Sequence, residues 1–305
     1  MFLLKTTALL AAGFAGVQLM SAHVDSSPAP GADYAKQIEA WHAKRVDRLK
    51  APDGWLSLIG LHWLKEGKNK VGSAKDNDLV LAAGPAHFGV VTLEGGKATI
   101  ALDASAKATI DGKSGKSAEL LDDSHEKPTT IAAGTVSFYL VDRGGKKGLR
   151  VKDTQAEART HFRGIDTFPI DPAWRVEAKY EAFNPPHTLE IPTVLGTVDK
   201  MTVPGKVSFT RDGKTYDLLP VLEEADAKQL WFIFADRTSG KETYGAARFL
   251  YADMPRDGKV VVDFNKAYNP PCAFTGYATC PLAPPENRLD LRVTAGEKKY
   301  AGGAH

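Results

Sequence analysis

Charge of one sign is missing from this sequence: 39 Lys and Arg stand against 37 Asp and Glu, a formal net of +2 over 305 residues. Such a balance gives no basic field for a nucleic acid and no acidic one for a cationic partner. Recognisable catalytic strings are missing as well. Gly115-Lys116-Ser117 has the tail of a phosphate-binding loop, but Ile110 stands where its first glycine belongs. Ser124-x-x-Lys127 has the spacing of penicillin-binding enzymes, yet Pro128 follows at once and forbids the helix that would carry it. There is no Gly-x-Ser-x-Gly elbow and no His-Glu-x-x-His. The eight histidines are scattered, with no local pair at ligand spacing to start a zinc site. His42 and His62 lie among aromatics and read as packed. No metal or other cofactor is implied.

Cysteine is scarce. Cys272 and Cys280 are the only two. In an oxidising compartment they are expected to pair and close a short loop; free thiols and metal ligation are the rival readings.

Long apolar runs are confined to the N-terminus. Lys5 precedes an apolar stretch from Ala8 to Met20 that closes on Ser21 and Ala22. This order is that of a secretory signal, residues 1–22, and it is short for a permanent span. Residues 23–33, with Ser-Ser-Pro-Ala-Pro-Gly, read as a linker. The expectation is an exported protein, periplasmic or extracellular, with no integral membrane segment once the signal is removed. The oligomeric state is left open.

Beyond the linker, strand-forming text dominates after a single helix. Tyr34 to Leu49 is that helix, with Tyr34, Ile38, Trp41, Arg45 and Leu49 recurring at spacings of three and four and Asp33 placed to cap it. From Lys70 to Asp153, short β-prone runs alternate with Gly, Asp, Lys and Asn, as in a sandwich. Gly72-Ser73, Asn77-Asp-Leu-Val-Leu, His87 and Asp111-Gly resemble a forkhead-associated (FHA) domain. Ser73 stands where that family has its phosphate-gripping Arg, so the sandwich carries over and phosphothreonine recognition does not.

After Asp153 the strands lengthen. Leu230 to Ala235 is an unbroken apolar run, expected to be buried on both faces, with Ala246–Tyr251 and Val260–Phe264 as neighbours. The expected architecture is mainly β. It has an N-terminal helix with a small FHA-like β-sandwich (34–155), then a larger β-sheet or barrel-like half (156–305) that carries the candidate site.

That site is expected around Asp263 to Arg288. Five prolines stiffen this segment, and it bears aromatics and amides, the ingredients of a pre-ordered pocket for a small polar ligand. Asn265, Tyr268, Asn269, Asn287 and Arg288, with Arg175 and Arg248, are the expected ligand-binding residues. Asp236, Glu242 and Asp263 fall near strand ends and, with His161, are the candidates for acid–base chemistry. Binding of a small polar molecule, a sugar or an envelope component, is the leading reading. A hydrolase using paired carboxylates at the same place is the alternative, and ion pairing with Arg248, Arg288 or Arg175 would defeat it.

Asp263-Phe-Asn-x-Ala-Tyr-Asn-Pro-Pro-Cys, Cys280-Pro-Leu, Pro-Pro-x-Asn287-Arg288-Leu and Ala295-Gly-Glu-Lys resemble the domain-of-unknown-function 1684 family. Asp53-Gly-Trp-Leu-Ser-Leu, Gly60-Leu-His-Trp-Leu, Phe168-Pro-Ile-Asp-x-x-Trp-Arg and Glu242-Thr-Tyr-Gly extend the resemblance to roughly Ile38–Tyr300. The family brings no activity with it, so the resemblance marks positions and not chemistry.

Overall fold

A computed structural model describes residues 30–302 of the chain. The expected signal segment lies outside the described residues, as does most of the expected linker. The helix spans Pro30–Lys50, four residues longer at its start than the sequence periodicity indicates. Proline suits the first helical turn because its fixed φ is already helical and its missing N–H has no partner there. Asp33 therefore stands inside the first turn, and Arg48 and Lys50 close the last, each favourable to the helix dipole.

The fold is mainly β. A six-stranded sheet runs in the order Leu58–Trp63, Lys146–Asp153, Val136–Arg143, Thr130–Ala133, Thr109–Ile110 and Lys113–Ser114. A five-stranded sheet runs Leu79–Val80, Gly67–Gly72, Gly89–Glu94, Lys97–Leu102 and Ser117–Glu119. Phe88, Val91, Ile100, Ile131, Phe138, Leu149 and Val151 fill the core of this sandwich. Ser73 serves the sandwich itself, its hydroxyl donating to the carbonyls of Gly84 and Pro85.

One ion pair in the sandwich sets an acid limit. Burial alone would raise the pKa of Asp122. The Lys147 ammonium at 2.6 Å and the Ser124 hydroxyl and amide overcome that and hold its carboxyl well below the usual range. An unfolded Asp titrates near ~4, so this stabilisation is present above that pH and is lost as pH falls toward the depressed folded value. Asp122→Asn is expected to cost about 1–3 kcal/mol at neutral pH. It should also flatten the fall in stability below about pH 4. Urea melts across that range check both, and an unchanged acid limb would contradict the assignment.

The second half is built on a four-stranded sheet, Lys214–Leu218, Val198–Arg211, Arg175–Pro192 and Lys259–Asp263, and on a two-stranded pair, Gln229–Phe234 with Arg248–Asp253. The apolar run 230–235 is buried along its whole length, as its composition requires. Its alternation divides two cores. Leu230, Phe232 and Phe234 enter one with Trp174, Val262 and Phe264; Trp231, Ile233 and Ala235 enter the other with Phe249, Ala278 and Cys280. Arg248–Asp253 is its ladder partner as expected. Lys259–Asp263 instead pairs with Arg175–Lys179.

The helix is bound to the second half at both ends. Tyr34 Oη donates to Asp263 Oδ1 at 2.8 Å, Arg45 Nη2 donates to the Asn269 carbonyl at 2.7 Å, and Leu49 packs with Leu56, Ala273 and Phe274.

Candidate functional site

Helix, sandwich and second half meet around a cavity of about 1310 Å³. Three periodicities aim side chains into it. On the helix, Trp41, Arg45 and Arg48 lie at i, i+4 and i+7, one face, and all three line it. On the sandwich, Leu149 and Val151 point into the core, so Arg150 between them projects from the opposite face; Arg143 ends the neighbouring strand. On the buried pair, Trp231 and Tyr251 are cross-strand partners whose rings stack at 6.1 Å, both on the cavity side.

Aromatic surface dominates one wall. Trp41 approaches Tyr268 at 6.2 Å between centroids, Tyr251 stacks on Tyr268 at 6.3 Å, and the Arg45 guanidinium lies 4.7 Å over the Tyr268 ring. Burial pushes the Tyr268 hydroxyl up to about 12, so it stays protonated and neutral. Six Arg and two Lys line the cavity against five Asp and Glu. Arg143 holds Asp123 through two bonds, Nη1 at 2.9 Å and Nη2 at 2.6 Å, while its Nε donates to Thr279 at 2.9 Å.

The predicted residues separate into two groups. Arg175, Asp263, Tyr268 and Cys280 line the cavity. The others lie outside its lining. Asp236 is buried against Arg248, Nη2 to Oδ2 3.2 Å, and Arg248 also donates to the Val293 and Ala295 carbonyls. Glu242 is gripped by Arg292 at 2.6 Å on the surface, and His161 is exposed, 3.9 Å from Glu157. Asn265 accepts the Asp171 amide and donates to the Asp171 carbonyl and to Tyr34 Oη. Asn287 joins Leu219 N, Leu219 O and Ile233 O; Asn269 donates to Lys298 O, and Arg288 to Ala283 O. Of the three candidate acids only Asp263 reaches the cavity, so Asp236, Glu242 and Asp263 form no opposed carboxylate pair there. Among the described residues, no group of three His, Cys, Asp or Glu is arranged to hold a metal ion.

Cys272 and Cys280 are free in this structure but adjacent. Each sulfur accepts the other's backbone N–H at 3.2 Å. Hydrogen bonding from Cys280, with Arg150 nearby, draws the Cys272 thiol below its ordinary value; Cys272 and burial push Cys280 up.

Sequence reasoning missed Trp41, Trp55 and Trp231, whose apolar rings read as core, and Arg143 and Arg150, which lie in ordinary strand text. The available signal was Leu149-Arg-Val, a charge between the two large apolar residues of a strand that is otherwise mostly charged.

The class so defined is a mainly β protein with a polar, aromatic-walled cavity where helix, sandwich and second half meet. Residues 160–298 match the family described as protein of unknown function (DUF1684), and the chain belongs to that family through this part of its length. The match starts well after Ile38, where the motif resemblance begins. A solved structure similar to this chain is the solution NMR structure of an uncharacterised protein of Haloarcula marismortui. It is 33% identical over 46% of this chain and 78% of that one, with a TM-score of 0.39. No curated protein matches.

Proposed function

We propose that this chain binds a small polar molecule carrying a ring, a sugar or another envelope component, in the cavity beneath Trp41. The observation that supports this most is the wall itself: stacked Trp231, Tyr251 and Tyr268 beside a row of arginines. Ring faces bind the apolar faces of a small ligand, and fixed polar groups orient it. Trp41, Trp55 and Trp231 all line the cavity, so their fluorescence reports occupancy directly. Thermal-shift screening of sugars, amino sugars and sugar acids, followed by fluorescence titration of the hits, tests the proposal. A binder that changes tryptophan emission is expected; absence of any such binder, or one indifferent to loss of the Tyr268 ring, overturns it.

The same reading includes export. Residues 1–22 act as a signal, and in an oxidising compartment Cys272 and Cys280 close a nine-residue loop, adding about 2–3 kcal/mol. Each sulfur already accepts the other residue's backbone N–H at 3.2 Å, which supports the pairing. Protein recovered from the cell envelope is expected to lack the first residues and to resist thiol alkylation until reduced. Full-length protein in the cytoplasm with two alkylatable thiols would refute this.

A further inference from the structure

We infer that the cavity contains an anion subsite, built from Arg150, Thr279 and Trp231, that selects a ligand bearing a carboxylate or phosphate group. The inference rests on the cavity-binding proposal above and specifies its ligand chemistry. Arg150 is 2% exposed and Trp231 8%, and Thr279 is half-buried, so the guanidinium and the indole are shielded from water.

Its polar atoms are nearly all donors. Arg150 Nε and Trp231 Nε1 are buried and find no acceptor among the described residues. The remaining bonds of the Arg150 fork are long, 3.4 Å from Nη1 to Tyr139 Oη and 3.3 Å from Nη2 to Thr279 Oγ1. Its nearest carboxylate oxygen, Asp123 Oδ2, is 3.9 Å away and already held by Arg143. Thr279 Oγ1 accepts from both Arg143 and Arg150, which leaves its own hydrogen to donate.

A buried guanidinium without a hydrogen-bonded acid is costly unless something anionic completes it. The planar fork suits the paired oxygens of a carboxylate or phosphate, and the hydroxyl and indole N–H add donors that a neutral ligand would not need. Arg45 differs: Glu297 lies at 3.3 Å and the Asn269 carbonyl accepts its Nη2. Among the described residues, Arg150 is the fully buried guanidinium of the cavity wall, and no carboxylate lies within hydrogen-bond distance of it.

Three probes sharing one six-membered ring separate the possibilities: glucose, glucuronate and glucose 6-phosphate, titrated by calorimetry and tryptophan fluorescence into the whole protein. At least one acid is expected to bind about ten-fold or more tighter than glucose, and which acid wins identifies the anion. Arg150→Gln should reduce that preference to within about three-fold. Trp231→Phe, which keeps an aromatic ring in the core while removing the indole N–H, should reduce it part-way even if Arg150→Gln fails to fold. Equal binding of glucose and both acids, or a preference that survives Trp231→Phe intact, overturns the anion subsite and leaves the cavity proposal standing. If none of the three probes binds, the anion subsite falls, and the cavity proposal falls with it only where the wider screen also yields no binder.

Discussion

Asp236→Ala is expected to destabilise the protein by about 3–5 kcal/mol, the usual cost of leaving one partner of a buried ion pair alone. Both side chains are sealed from solvent, at 0% and 1% exposure for Asp236 and Arg248. Asp236 does more than neutralise the guanidinium. Its Oδ2 accepts the Val293 amide at 2.7 Å, and its Oδ1 accepts the Thr238 hydroxyl at 2.6 Å. Arg248 in turn donates to the Val293 and Ala295 carbonyls. The pair thus fastens the closing segment of the chain, which has few ladder partners of its own, to the strand pair beneath it. Burial lowers the Arg248 pKa and Asp236 and Glu297 oppose that, so loss of Asp236 leaves Glu297 alone against the desolvation cost. Replacing both residues with apolar ones, Asp236→Leu with Arg248→Met, should recover much of the loss. Chemical denaturation measures each. A catalytic Asp236 would show the reverse pattern, with stability kept and function lost.

The second large effect concerns binding. Trp41→Ala should weaken any cavity ligand by about ten- to a hundred-fold, the range of an aromatic hot spot, while costing little stability. Trp41 is only half-buried, on a helix held at its ends by Tyr34, Arg45 and Leu49. Its ring lies 6.2 Å from Tyr268 and 5.0 Å from His42, whose imidazole burial keeps neutral by lowering its pKa. Calorimetry against the best hit, beside a thermal melt of the free variant, separates the two effects. A variant that melts like the parent and binds like it would remove Trp41 from the site.

Much of the fold was legible because local periodicity decides it. The helix from Tyr34 to Leu49, the sandwich text and the doubly buried run 230–235 all carry their own signals. The pairing of Lys259–Asp263 with Arg175 was not legible, because two β-prone strands look alike until a partner 88 residues away selects one. The amides misled for a physical reason. Between Asp263 and Lys298 the chain is mostly irregular, so its backbone groups need partners that no ladder supplies. Asn265, Asn269 and Asn287 supply them. An amide-rich, proline-braced segment therefore looks the same whether the amides serve a ligand or the chain itself. The cavity residues were hidden in the opposite way. Trp41, Trp231 and Arg150 occupy regular elements, and only the meeting of three of them makes a site.

The most direct test of the account is a crystal structure of the protein with its strongest-shifting sugar or sugar acid. The ring is expected against Trp41, Tyr251 and Tyr268, with an acidic group, where present, turned toward Arg150 and Trp231 Nε1. A ligand bound outside that cavity, among Asn269, Asn287 and Arg288, would contradict it.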